Sequence, residues 1–389
     1  MTTERLDHFH ALTDPMLQDI RILVETESPS ADLNAVAHSA DKVLTLGERV
    51  LGVKGERIVM DGCTHLRWRL GEGERRVLIL GHHDTVWPHG TLAKHPYAQE
   101  GGILRGPGNF DMKVGVVMSF YAVASLDPGS SVTILITGDE EIGSHTSRHL
   151  IESAASECAA VFVLEASADG GALKIGRKGM SGYRVSVSGR AAHAGLEPEK
   201  GINAAVEMSH QVLRIAALAS ELQGTSVVPT VLSAGTTTNT VPATADISVD
   251  VRTWTQEEQD RVDIGMRSLT AVLPGAVLSI SGGVNRPPME ETMSSSLFES
   301  ASAVALNLGM GELGGARVGG GSDGNFTAGL GIPTLDGLGA VGGGAHADNE
   351  HSVVAEIPRR TALVAGLIKH TLLPVAETND EPITSAIGR

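Results

Sequence analysis

The sequence predicts an α/β protein, a mixed sheet flanked by helices, with a smaller α+β unit inserted into it. Three observations predict this. Short apolar runs bounded by turn residues alternate with longer segments of helical apolar spacing. The runs repeatedly end at His, Asp or Glu, and the strands of an open α/β sheet deliver ligand-binding groups to their carboxyl edge. The pattern then changes between about 180 and 285, where apolar and polar residues alternate singly, as in a sheet with one wet face.

Taken in order, Asp14 to Glu25 and Asp32 to Leu51 read as helices, and Asp14-Pro15 is a favourable helix start. Strands follow near Arg57–Met60, Leu66–Leu70 and Val77–Leu80. Asp111 to Leu126 has helical spacing and stops before Asp127-Pro128-Gly129. A strand over 132–137, a helix near Ser144–Ser153 and a strand over 161–165 complete the unit. From Tyr183 the order becomes strand, helix (Ile202 to Leu222), strands near Val227–Ala234 and Ala245–Arg252, helix (Thr255 to Leu273) and strand (Val277–Ser281). That order is βαββαβ, helices on one face of an antiparallel sheet. After Arg286-Pro287-Pro288 the earlier pattern resumes, so residues 1–179 and 286–389 read as one domain and 180–285 as an insertion. The polar tail after Ala376 reads as loosely held.

A chain of 389 residues is long enough for two domains. Its formal charge of −16, with no long basic run, argues against a nucleic-acid partner, while a local Arg still permits an anionic substrate. MTTERLDHFH lacks a basic region followed by an apolar stretch, so no signal peptide is expected. No apolar stretch is long enough to span a membrane. Cys63 and Cys158 are unpatterned, which favours a reducing, cytoplasmic setting over a disulfide framework.

The chemistry gathers where the apolar runs end. Val77-Leu78-Ile79-Leu80 runs into His82-His83-Asp84, and neutral imidazole beside carboxylate suits zinc better than calcium or magnesium. Asp84 is placed to fix the second ring nitrogen of His82. The 132–136 run leads to Asp139-Glu140-Glu141, where adjacent carboxylates repel unless a cation compensates. With Glu141 on a metal, Glu140 stays free as general base, although an acidic pair also suits a helix start. Asp111 follows a Gly-rich turn and, taken alone, reads as an N-cap. Glu165 ends an apolar strand and needs a partner, either metal or Arg. His346 and His351 share one glycine-rich segment, and spacing does not choose between them.

Together GHHDTV, GPGNFDMK, TGDEEIGS, Glu165, GRAAHAG, TNTVPA and GGGAHAD, in this order, resemble a known family. It is the co-catalytic zinc metallopeptidase family of glutamate carboxypeptidase, aminoacylase, acetylornithine deacetylase and succinyl-diaminopimelate desuccinylase. The resemblance covers nearly the whole chain and implies a zinc-exopeptidase-like sheet with a ferredoxin-like lid and dimerisation domain. It implies two zinc ions per chain, or cobalt or manganese in their place. His82 and Glu165 hold one, Glu141 and His346 the other, and Asp111 bridges; Asp84 orients His82, and Glu140 is the base. The Asp111–Met112 peptide is expected to be cis. His193 matches a residue that reaches across a homodimer to the scissile carbonyl oxygen. Asn239 matches a polar contact near the substrate carboxylate, and Arg286 matches its clamp. Gly320, Gly321 and Ser322, within the 319–323 loop, are expected to offer N–H groups to the same carboxylate. The implied activity is hydrolysis of an amide bond that releases an amino acid with a free α-carboxylate from a small N-acyl or peptide substrate. Asn-Thr-Val-Pro, Arg-Pro-Pro and GGGSDGN look closest to glutamate carboxypeptidase, with glutamate leaving a folate-like or N-acyl substrate. The rivals are a deacylase of other acyl preference, a single-metal aminopeptidase and a catalytically silent metal- or peptide-binding relative.

Overall fold

A computed structural model describes residues 3–73 and 75–373; the polar tail after Ala376 lies outside them. Helices α1 (Thr3–Ala11), α2 (Thr13–Val24) and α3 (Leu33–Leu51) open the chain. The Asp32 carboxylate caps α3 by accepting from the Asn34 and Ala35 N–H groups. Strands β1 (Glu56–Met60), β2 (Cys63–Leu70) and β3 (Val77–His82) follow, then the short pair β4 (Ala98–Glu100) and β5 (Ile103–Arg105). Helix α4 (Val114–Ala124), β6 (Val132–Thr137), α5 (Arg148–Ser156), β7 (Ala160–Val163) and β8 (Leu173–Arg177) come next. Strand β9 (Gly179–Ser188), α6 (Ala204–Ala216), β10 (Ser226–Ala234), β11 (Thr244–Thr253), α7 (Gln256–Arg267) and β12 (Val277–Arg286) form the βαββαβ stretch. The chain closes with α8 (Glu291–Asn307), β13 (Gly315–Val318), α9 (Gly324–Gly329), β14 (Thr334–Leu335), β15 (Gly342–Gly343), β16 (His351–Val353) and α10 (Glu356–Leu372).

The main sheet is mixed, in the order β1-β2-β6-β3-β7-β14. Strands β6, β3, β7 and β14 run parallel, and β2 and β1 are antiparallel additions at one edge. Every residue of β3, β6 and β7 is buried, because both faces are covered. On one face Val77 and Ile79 join the cluster that includes α4 and α10; on the other Leu78 and Leu80 meet Ile151 of α5 and Phe326 of α9. The parallel strands all point their carboxyl ends at one edge, where His82, Glu140, Glu141 and Glu165 emerge.

A second sheet, β10-β11-β9-β12, is antiparallel throughout and carries a separate apolar cluster beneath α6 and α7. Tyr183, Val185 and Val187 face that cluster while Arg184 and Ser188 face outward, the alternation read from the sequence. Both helices are shorter than expected. Asn203 caps α6 at its start, and Leu222 lies 98% exposed with no core to hold a further turn.

Three other expectations shift at the carboxyl edge. The helix expected from Asp111 begins at Val114, because Asp111 has extended backbone angles (φ −119°, ψ 95°) and serves as no N-cap. Glu165 lies two residues beyond the end of β7, and α5 starts at Arg148 rather than near Ser144. Among the described residues no helix is long and apolar enough to cross a membrane.

Helix α4 is buried along almost its whole length and approaches the sheet closely at Gly115, where an added Cβ would sit 2.1 Å from the Leu164 carbonyl oxygen. Replacing Gly115 with Ala should therefore destabilise the fold by about 1–3 kcal/mol through overpacking. Urea denaturation monitored by circular dichroism checks this; an unchanged midpoint would contradict the close approach.

Candidate metal centre

His82 is the last residue of β3, and its two ring nitrogens have different jobs. Nδ1 lies 3.0 Å from the Asp84 carbonyl oxygen, so it carries the proton and donates. Nε2 is left with its lone pair facing two carboxylates, 3.2 Å from Asp111 Oδ1 and 3.3 Å from Glu165 Oε1. The Asp84 carboxylate is buried and accepts from Ser30 Oγ at 2.7 Å and from the N–H groups of Glu140 and Glu141, each at 3.2 Å. One Asp thus ties the β3 end to the β6 end.

Asp111 stands between two histidines. Its Oδ1 faces His82, and its Oδ2 lies 3.4 Å from His346 Nε2, which is itself 3.1 Å from Glu141 Oε2. His346 holds a left-handed backbone (φ 62°) in the loop between β15 and β16. His351 turns Nδ1 onto the Asn349 carbonyl oxygen, so geometry selects His346 where spacing could not. His83 is buried with its ring against Ser39 Oγ and the Thr64 carbonyl oxygen; burial pushes it down to about 4, and it takes no part in the cluster. The Asp111–Met112 peptide is cis.

Ligand atoms of His82, Asp111 and Glu141 all lie within 4.8 Å of one another, and so do those of His82, Glu140 and Glu165. This donor set fits divalent cations. Glu141 Oε1 is buried with no hydrogen-bond partner. Burial pushes the carboxyls of Glu140 and Glu141 above their usual range. Burial also disfavours charge on Asp111, but hydrogen bonds from His346 and His82 outweigh it and hold that carboxyl low. Facing Asp111 and Glu141, His346 is pushed up to about 10. Four carboxylates around two imidazoles call for positive charge at the points between them.

Three anchors outside the expected residues hold this arrangement. The Glu350 carboxylate accepts from the backbone N–H groups of Gly108, Phe110 and Asp111 at 2.9–3.1 Å and from the Trp87 indole N–H at 2.7 Å, clamping the loop that presents Asp111. Arg177 is buried and grips Asp336 through two bonds (2.7 and 3.0 Å) while reaching Glu165 at 3.5 Å. Asp139 accepts from Thr146 and Ser147, fixing the turn before Glu140. A buried Arg and a multiply bonded Glu read in sequence as ordinary loop charges, so only their partners reveal them.

The expected substrate contacts fare unevenly. Arg286 is buried over the Phe326 ring; its guanidinium meets Glu140 Oε1 at 3.1 Å, Asp323 Oδ1 at 3.3 Å and Ser144 Oγ at 2.7 Å. Ser322 does not match its expected role: its N–H donates to Asn325 Oδ1 at 2.8 Å and its hydroxyl to Asp336 at 2.6 Å, so it closes the turn before α9 and offers no N–H outward. The carbonyl oxygens of Gly320 and Gly321 accept from Arg177. His193 and Asn239 lie side by side in the second sheet's loops, joined by the Ala194 N–H to Asn239 oxygen bond. Among the described residues no hydrogen bond or ion pair links them to the metal cluster. His193 Nδ1 accepts from the Gly195 and Leu196 N–H groups, which leaves an exposed Nε2–H as donor.

A parallel-edge cluster of His and carboxylates fits a metal-dependent hydrolase, and residues 78–370 match the model of peptidase family M20/M25/M40; the chain belongs to that metallopeptidase family. It is 32% identical to carboxypeptidase G2 of Pseudomonas sp. (strain RS-16) over 92% of this chain and 91% of that protein. The fold is shared with aminopeptidase PepT of Bacillus cereus (TM-score 0.72, 21% identity, 92% of this chain and 98% of that one). It is also shared with the YXEP protein of Bacillus subtilis, described as a dinuclear metal-binding peptidase (TM-score 0.65, 15% identity, 94% and 99% covered).

Replacing Glu350 with Ala removes the acceptor for all four N–H groups and frees the Asp111 loop. Metal affinity should fall about 10–100-fold, the usual cost of losing a partner that orients a ligand. Competition titration against a chromogenic chelator measures it, and wild-type affinity would show that Glu350 only packs.

Proposed function

We propose that this protein is a two-zinc amidohydrolase that releases an amino acid, glutamate in the preferred case, from an N-acyl or peptide substrate. The observation that carries the reading is Asp111, whose two oxygens face His82 and His346 separately. His82 and Glu165 would hold one ion, Glu141 and His346 the other, and Asp111 both; cobalt or manganese suits the same donors. Bound ions supply the positive charge that lowers the pKa of water and polarises the scissile carbonyl.

The chain's own residues supply the rest. Glu140 accepts the proton of the attacking water and returns it to the leaving nitrogen; its burial favours holding that proton. Arg286 is the cation for the substrate carboxylate, sharing its donors with Glu140 and Asp323, and the N–H groups of Gly320 and Gly321 and the side chain of Asn239 assist. His193 Nε2–H donates to the developing oxyanion from a second copy of the chain. A homodimer suits the open edge of β10, where Val228, Val231 and Leu232 are 48%, 69% and 57% exposed. Release of a C-terminal residue is supported by the relative named carboxypeptidase G2. Free Cys63 and Cys158 suit a reducing, cytoplasmic setting.

Glu140→Gln should keep two metal ions per chain by elemental analysis and lower kcat about 10²–10⁴-fold, the usual contribution of a general base. Undiminished turnover would remove Glu140 from that role. Amidating the α-carboxylate of N-acylglutamate substrates should raise KM in wild type, and Arg286→Lys should shrink the difference. Equal use of acid and amide would eliminate the carboxylate clamp and favour the aminopeptidase reading.

A further inference from the structure

A cavity of about 210 Å³ opens beside the metal centre, between the segment after His82, the 105–107 turn that leads to Asp111, and the loop that follows His346. Its floor is the Trp87 ring, held still by the indole bond to Glu350, with the His95 ring tilted 46° to it at 6.0 Å. Pro96 and Pro107 add apolar wall. Lys94 and Arg105 stand at the rim, both exposed, and neither side chain makes an ion pair or hydrogen bond among the described residues. The two carboxylates of the lining have partners of their own. Asp348 pairs with His95 at 3.3 Å, and the Glu350 carboxylate is saturated by four N–H donors.

The cavity and Arg286 lie on opposite faces of the main sheet. Arg286 sits over Phe326, on the face covered by α5 and α9, whereas Leu104 and Phe110, which flank the 105–107 turn, belong to the cluster that includes α4. A substrate whose carboxylate reaches Arg286 therefore lays its acyl group across the metal edge, toward this cavity.

We propose that the cavity is the acyl subsite of the hydrolase, and that it takes an acyl group built on one aromatic ring bearing a negative charge. The ring stacks on Trp87 and the charge meets Lys94 and Arg105. The volume, below the roughly 300–1,000 Å³ of pockets that enclose drug-sized ligands, accommodates one ring. This inference rests on the hydrolase reading for its orientation.

The test measures kcat/KM for the glutamate conjugates of acetyl, benzoyl and para-carboxybenzoyl groups, in wild type and in the double variant Lys94→Glu, Arg105→Glu. Both residues are exposed and unpaired, so the fold tolerates the change. Wild type should prefer benzoyl to acetyl, and para-carboxybenzoyl to benzoyl. Charge reversal should lower the para-carboxybenzoyl to benzoyl ratio about tenfold. A fall of less than threefold, or a wild-type preference for acetyl over benzoyl, overturns the subsite while leaving the hydrolase intact. Should none of the three be cleaved, the proposed release of glutamate fails, and calorimetric titration with terephthalate decides the cavity separately. Weaker binding to the double variant then supports it, and equal or absent binding overturns it.

Discussion

Four carboxylates, from Asp111, Glu140, Glu141 and Glu165, converge on the imidazoles of His82 and His346 in a largely buried space. Left to themselves such groups repel, and burial makes each ionised form costly. Their gathering is the constraint from which the architecture follows. It is resolved locally by giving each carboxylate a positive neighbour: histidine for Asp111 and Glu141, Arg286 for Glu140, Arg177 for Glu165. Cations bound between the same oxygens extend that solution.

The sheet makes the gathering possible because β3, β6 and β7 end near one another, so His82 and the short segments just beyond β6 and β7 reach the same edge. Asp111 and His346 arrive on loops, which have no ladder to hold them. The protein supplies substitutes. Asp84 fastens the turn after β6 to the end of β3, and Glu350 gathers the N–H groups of the Asp111 loop.

Much of this was legible in the sequence, for a physical reason. Apolar runs buried on both faces are continuous, so their ends are easy to find, and a polar residue at such an end has to be explained. That logic located His82, Glu140, Glu141 and Glu165. It failed where the same letters serve opposite purposes. Asp111 has the setting of an N-cap, yet its side chain turns to the metal edge and the helix starts three residues later. Spacing alone does not separate His346 from His351; the GGGAHAD resemblance favours His346, and the two rings have different partners in the fold. Ser322 lies in a glycine-rich loop that looked outward, but its N–H closes a turn onto Asn325. Glu350 and Arg177 pass for solvated loop charges until their partners, distant in the chain, are placed beside them. Apolar spacing predicts α6 to run to Leu222, but Leu222 faces water and the helix ends at Ala216.

The Glu350 clamp spans 242 residues of chain to reach Gly108. During synthesis the segment around Asp111 emerges long before its anchor does, and until residue 350 arrives its backbone amides have only water to bond. The centre is therefore complete only once the C-terminal part of the polypeptide, which packs beside α4, is in place. Strands β3, β6 and β7 are all made by residue 163, whereas a place for metal waits on residues 346 and 350.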